Sequence, residues 1–510
     1  MSENEQALPQ AGPDSCAQKQ EELEGKSGRE RRFLIWTLAF CVLLADTLLW
    51  YGPRAGAAVA VAVWYVLLFA YTGTDGLKRR ENRVLLAVNL LLAATLALTS
   101  NWYFRIWNLM ALMALVPIHL FAVSGAAILP WWRPAMLLER LQLFGSGLIC
   151  NAGAAFSFLS RKEEKGKSRL AVAAGCLGAL VLIVVLLPVL ASADALFDAA
   201  TRGLTTFLRQ HLSTGLQKAG MGLLLTPFLF GLLHRLGHPQ PLKKPVQPKT
   251  RTADGMSFLV ILTALDVLYL LFLAVQSAGL FGGAAYLAQR GISYADWARS
   301  GFFQMVGVTA VNLTVILAAV TFSRRQGRSW PVLRILAAVL TAESGLLLAS
   351  AVWRMSLYVS AYGLSFLRVM TYWGMVVMAA FLAAAARKIQ KPEVSFCRVA
   401  FLVAVLGWVA VSFVPVDYLV AQNHVDRYLN GETGTVDVEY LAEWLSYDSL
   451  SQLERLDGSE LVRSYRGGGS ESETMTLHDL IAARRAEARG ECAHWESWSL
   501  SAFLAEGRNG

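Results

Sequence analysis

Residues 257–277 read SFLVILTALDVLYLLFLAVQS, 21 positions with a single acidic or basic side chain, Asp266. A helix needs about 20 apolar residues to cross a hydrocarbon core of about 30 Å. No face of this segment is polar, so as a helix it must bury itself among other helices or in lipid. The same pattern recurs along the chain. Candidate spans fall at 33–50, 55–73, 84–101, 105–127, 169–192, 217–235, 257–277, 301–322, 332–358, 366–386 and 398–420, about eleven in all. Backbone groups in lipid must be satisfied within the segment, so the spans are helices. The two-residue alternation of a membrane barrel is absent. The expected fold is an all-α polytopic bundle over 33–420.

Composition agrees. Of 510 residues 55% are hydrophobic and only 16% charged, against about 25% charged in a soluble domain. So little charge cannot cover a water-soluble surface of this size. It also excludes a disordered chain. The six cysteines stand at 16, 41, 150, 176, 397 and 492. None has C-x-x-C spacing, so no zinc cluster or redox motif is written in them.

Residues 1–32 are polar and offer little to bury, which predicts an unstructured tail. The tail is too long and too acidic for a signal-peptide leader, so the first apolar run is expected to be a retained anchor.

The breaks between spans alternate in charge. One set holds Lys26, Arg29, Arg31 and Arg32, then Lys78, Arg79, Arg80 and Arg83, then Arg161, Lys162, Lys165 and Lys167. It continues with Lys243, Lys244, Lys249 and Arg251, with Arg324, Arg325 and Arg328, and with Arg387, Lys388 and Lys391. Every second break is basic, and Lys and Arg gather on the cytoplasmic side. An odd number of spans then puts the amino end inside and the carboxyl end outside.

Residues 421–510 differ in kind. They carry 16 Asp and Glu against 8 Arg, a net −8, whereas the rest carries 38 Lys and Arg against 21 Asp and Glu, a net +17. The basic excess is thus a topology signal and predicts no nucleic-acid partner. The acidic region is expected to be a small extracytoplasmic helical tail. DVEYLAEWLSYDSLSQLERL (437–456) has apolar residues at helical spacing. Thr476 with Asp479 marks a capping-box start for a helix ending near Gly490. RGGGS (466–470) reads as a flexible joint, and Trp495, Trp498, Phe503 and Leu504 present an aromatic end.

Enzyme signatures fail on inspection. Gly166-Lys167-Ser168 lacks the leading glycine of a phosphate loop, since Arg161 stands there. Glu343-Ser344-Gly345 lacks the flanking glycines of a nucleophile elbow. His234 and His238 share a helix face, but a metal site needs a third ligand. They are read as an interfacial cap, so no metal, cofactor or catalytic residue is predicted.

Ionisable residues inside spans say more. Asp266 and Glu343 fall mid-span, Asp46 in the outer half of the first span, and His119 in the fourth. A charge at bilayer centre costs about 2.5–3.5 kcal/mol on insertion scales, so such residues face protein or a wet cavity. Asp266, Glu343 and Asp46 are either helix glue or proton- and ion-handling groups. Asn89 and Asn312 are read as glue.

Topology also gathers a set at the outer face: Arg299, Arg354 and Arg368, with Tyr294, Tyr358 and Tyr362 at similar depth. Three guanidiniums at one level suit a phosphate, carboxylate or lipid head group. The alternative pairs them with Asp194, Asp198 and Asp417, or leaves them as interface anchors. Segment 128–160, with Trp131 and Trp132, is read as a cytoplasmic interfacial helix.

Two stretches in this region are distinctive: GISYADWARSGFFQMVGVTAVNLTVIL (291–317) and RMSLYVSAYGLSFLRV (354–369). They resemble a bacterial polytopic membrane family, domain of unknown function 4153, and its relative 4173. The first stretch matches that family's pattern at Tyr294, Ala295, Arg299, Gly301, Phe302 and Phe303. The second matches at Arg354, Met355, Tyr358, Tyr362, Gly363, Leu364 and Arg368. LASADALF (190–197) is similar to a third family motif, with Ala195 in place of a proline. Asn423 and DVEYL (437–441) fit the family's tail. The resemblance implies a multispan protein of the bacterial cytoplasmic membrane and carries no assigned activity.

Three function classes stay open. One is a transporter or flippase for an anionic or lipid-like solute. Another is a sensor or scaffold whose acidic tail, 421–510, binds a protein partner. An enzyme on lipid or cell-wall precursors is the least supported, since no nucleophile–base pair is visible.

Overall fold

A computed structural model describes residues 13–133, 135–157, 214–239, 255–288, 302–325, 329–464 and 473–507, with isolated positions between 179 and 201. The expected span 169–192 lies outside the described residues, as do RGGGS and almost all of LASADALF.

The helices are α1 (Pro13–Leu44), α2 (Ala55–Thr72), α3 (Arg80–Leu98), α4 (Trp102–Val123), α5 (Met136–Gly145) and the short α6 (Gly153–Ser157). They continue with α7 (Thr214–Gly237), α8 (Gly255–Ala288), α9 (Phe302–Phe322), α10 (Ser329–Tyr362), α11 (Phe366–Gln390), α12 (Phe396–Ser412) and α13 (Val416–Leu429). A short α14 (Leu450–Leu453) precedes strands β1 (Leu461–Ser464) and β2 (Glu473–Thr476), then α15 (Leu477–Cys492) and α16 (Leu500–Glu506). α1 reaches back into the polar segment expected to lack structure; its Gln, Glu and Lys residues are good helix formers.

Among the described residues nine helices are long and apolar enough to cross a membrane. The run expected as one span over 398–420 is instead a pair, α12 and α13, bent by 56°. Pro415 has no N–H to continue the ladder, and the chain turns there. The apolar surface of α8 faces outward: Val260, Val267 and Leu271 are 65%, 63% and 64% exposed. Such a surface is untenable in water and ordinary in lipid. The chain is a multi-pass membrane protein whose environment is the lipid bilayer.

The chain divides into two compact units. The first comprises residues 1–84, 115–128 and 138–243. In it α1 packs along α7, and Leu34, Ala155 and Phe230 form a small buried cluster. His119, fully buried, has its Nδ1 2.9 Å from the Tyr65 hydroxyl.

The second unit comprises 85–114, 129–137 and 244–510. α10 is its spine, packed by α8, α9 and α11. Its core includes Leu262, Ile316, Leu340 and Met375, with Ala319, Ala337 and Ala351 fully buried where small side chains let helices approach. Gly363, at φ +76°, turns the chain from α10 into α11, and its N–H donates to Val359 O at 2.8 Å. Ser365 then caps α11 by accepting from Arg368 N. A further core, from Phe104 and Val411 through Leu441, Leu453, Leu480 and Ala502, holds the carboxyl-terminal elements to this unit.

Among the described residues the carboxyl-terminal region combines helices and loops with one two-stranded antiparallel sheet, β1 with β2, in which Leu461 faces Thr476. The expected continuous helix over 437–456 is broken at Leu445, whose backbone is extended. There Ser446 N donates to Asp417 Oδ2 at 2.9 Å, outside the helical ladder. Thr476 does cap a helix, accepting from Asp479 N at 3.1 Å, and that helix ends at Cys492.

Candidate functional site

Asp266 on α8 and Glu343 on α10 meet inside the second unit. They are 77 positions apart in sequence and only 5% and 3% exposed. Their carboxyls lie within hydrogen-bonding reach of each other. Among the described residues no N–H or O–H donor reaches any of their four oxygens. Two bare carboxylates repel, and a hydrogen bond between them exists only when one carries a proton.

The surroundings are polar at the same level and apolar elsewhere. Ser344 donates to Leu340 O at 2.7 Å and accepts from Asn312 Nδ2 at 3.0 Å. Tyr269, one turn along α8, stands beside Asn312. Three helices thus bring Asp266, Tyr269, Asn312, Glu343 and Ser344 together. Sequence reading found the two carboxyls and Asn312, and weighed Ser344 only as a nucleophile elbow that its neighbours rule out. It missed Tyr269, because a tyrosine in an apolar run carries no signal of its own.

Asp46 is placed differently. Its Oδ1 is 2.5 Å from Lys218 Nζ on α7, and that ammonium also lies over the Trp50 and Tyr51 rings, at 5.8 and 5.1 Å. The carboxylate is neutralised locally by an ion pair between helices.

Of the outer-face set, Tyr294 and Arg299 lie outside the described residues. The structure brings Arg368, Tyr358 and Tyr362 together. The Arg368 guanidinium lies 4.3 Å from the Tyr358 ring centroid and donates to Tyr362 O at 3.1 Å and to Gly363 O. The two tyrosine rings are 5.0 Å apart. Arg368 therefore satisfies carbonyls at the end of α10, where a cation also complements the helix dipole. Arg354 sits one turn before Tyr358 on α10 and is 9% exposed. Asp417 turns instead to Asn101 Nδ2, at 2.7 Å, and Ser446 N.

The carboxyl-terminal elements form an open pocket of about 580 Å³, lined by Tyr418, Tyr447, Asp448, Glu454, Arg485 and Phe503 among others. Burial pushes the Asp448 carboxyl above its ordinary value, although hydrogen bonds from Ser501 and Ser446 pull the other way. Burial likewise raises the Tyr447 phenol.

Comparison with the curated proteins and with the solved structures finds no match. Residues 86–456 match the model of the family described as Domain of unknown function (DUF4153), and the chain belongs to that family.

Proposed function

We propose that the chain is a proton-coupled carrier that moves or flips an anionic or lipid-like solute across the bacterial plasma membrane. The amino end lies in the cytoplasm and the carboxyl end outside. The observation that supports this most is the Asp266–Glu343 pair. A carboxyl pair that no donor reaches among the described residues, between two membrane helices, must take up a proton to be stable and can give it back when the helices move. Arg354 lies eleven residues along α10 from Glu343, roughly 16 Å at 1.5 Å per residue. In this reading Arg299, Arg354 and Arg368, with Tyr294, Tyr358 and Tyr362, receive the solute's negative charge at one end of the path. Asp266 and Glu343 carry the coupling proton at its middle.

The scaffold reading, in which residues 421–510 bind a protein partner through acidic charge, has less support. Asp426, Glu454, Glu491 and Glu506 are matched within the same unit by Arg455, Arg485, Arg105 and Arg489.

The test is reconstitution of the whole chain into vesicles under an imposed proton gradient. One arm follows transbilayer movement of fluorescent phosphatidylglycerol, and the other uptake of radiolabelled phosphate. One of the two should move faster than in empty vesicles, and Glu343→Gln should abolish that movement while the purified protein stays monodisperse. Movement unchanged by Glu343→Gln removes the proton role. No movement in either arm removes the carrier reading. A fluorescent protein fused after Gly510 should stay dark when exported unfolded by this route, and fluorescence from the cytosol overturns the proposed orientation.

A further inference from the structure

We propose that Glu30, His234 and His238 form a binding site for a divalent transition-metal ion, zinc foremost, with a fourth position open to water. The sequence shows only the histidine pair, one turn apart on α7. The fold supplies the third ligand from α1. One donor atom from each of the three side chains lies within 4.8 Å of the others. Two imidazoles and a carboxylate are the ligand set of a three-coordinate zinc centre that keeps a water.

The orientation of these groups favours an ion. The His238 Nδ1 is 3.1 Å from the His234 carbonyl oxygen. A carbonyl only accepts, so Nδ1 is the protonated nitrogen and Nε2 keeps its lone pair for a metal. The His234 and His238 rings stack at 4.5 Å with an interplanar angle of 27°, so both project from one face of α7. Glu30 is held from behind. The Tyr71 hydroxyl lies 2.9 Å from both of its oxygens, and having one proton it leaves lone pairs on each. Arg29 Nη2 in turn donates to the Tyr71 carbonyl at 2.8 Å. This is the kind of supporting hydrogen bond that orients metal ligands.

The backbone is cut to fit. Gly237 lies between the two histidines, and a Cβ there would collide with the Tyr71 ring. The glycine lets Tyr71 approach α7 and set Glu30 against the imidazoles. A tetrahedral ion with arms of about 2.1 Å holds its donors about 3.4 Å apart. The three groups reach that spacing by side-chain rotation, since Glu30 and His234 are only partly buried and His238 is exposed.

The experiment uses the full chain without a histidine tag, purified in detergent, stripped with chelator and titrated with cobalt(II), then zinc(II). One equivalent of cobalt should bind with the visible absorption of a low-coordinate ion, and zinc should displace it. His238→Ala and Glu30→Gln should each weaken binding at least about tenfold, and Tyr71→Phe by about tenfold or more, as for other supporting partners. His478→Ala, a surface histidine in the carboxyl-terminal region, should leave stoichiometry and affinity unchanged. His238 is exposed and Glu30→Gln preserves shape, so both variants should fold. The proposal is overturned if the wild-type chain retains no stoichiometric ion. It is equally overturned if His238→Ala and Glu30→Gln bind as the wild type does.

Discussion

Asp417 and the Asp266–Glu343 pair are hidden from solvent to a similar degree, at 2%, 5% and 3% exposed. They differ in company. Asp417 receives the Asn101 side-chain amide and the Ser446 backbone N–H. Each hydrogen bond joins segments far apart in sequence, and together they fix where the chain leaves α12 and where the helix after Glu439 breaks. Asp266 and Glu343 receive nothing but each other among the described residues. A buried carboxylate with two donors is a structural joint. One with no donor depends on a proton that solvent can take away. Burial alone therefore does not separate these two kinds of carboxyl, whereas the number of donors does.

Substitutions at four acidic residues and one threonine can break or sharpen that contrast. The largest effect is expected at Asp417→Ala. It leaves the Asn101 amide and Ser446 N–H buried without an acceptor, which costs about 1–3 kcal/mol for each such group. Thermal unfolding in detergent should show a loss of several degrees, and a loss no larger than at an exposed site would cancel the structural half of the comparison. Next comes Thr476→Ala, which removes the cap of α15 while its partner Asp479 stays exposed. Loss of a cap typically costs about 1 kcal/mol, and protease sensitivity of residues 477–492 should rise without disturbing the membrane helices.

Asp448 falls between the extremes, being half-buried and served by hydroxyl donors. Its folded carboxyl holds a proton more tightly than the unfolded one, whose ordinary value is 3.8. The folded state then binds more protons through the interval from that value up to the raised one. Stability falls as pH rises through that interval, and the deficit persists at neutral pH. Asp448→Asn should therefore melt slightly above the wild type at pH 7 and equal to it at pH 3. A wild type that melts higher at both values would reverse the sign.

The smallest change in stability belongs to Asp266→Asn and Glu343→Gln. Each amide supplies permanently the donor that the shared proton supplies transiently. Stability should move by about 0.5 kcal/mol or less, since the hydrogen bond is kept. On the proposed carrier reading, these are the variants expected to lose transport altogether. A large loss of stability instead would make the pair a joint like Asp417.

Much of the fold was legible from single segments. Residues 257–277 and 366–386 are helices because about 20 apolar residues match the bilayer whatever their neighbours. Thr476 announced a helix start because a cap is a contact across three residues. The break at Leu445 was not legible. It depends on Asp417 drawing away Ser446 N–H, and nothing within 437–456 records that. The bend at Pro415 was written in the sequence but outweighed by the apolar run around it. The β1–β2 pair was missed because four-residue strands give too few alternations to register.

The sequence by itself determined that this chain crosses a membrane many times, since hydrophobic length is a sum over one segment. It also determined which ionisable groups would be buried, because there is no water at mid-span to receive them. Only the tertiary structure decided who meets whom: Asp266 with Glu343, Asp46 with Lys218, Glu30 with His234 and His238. A helix apolar on every side does not state which face turns inward, so its rotation, and with it each pairing, is set by the packing of the helices around it.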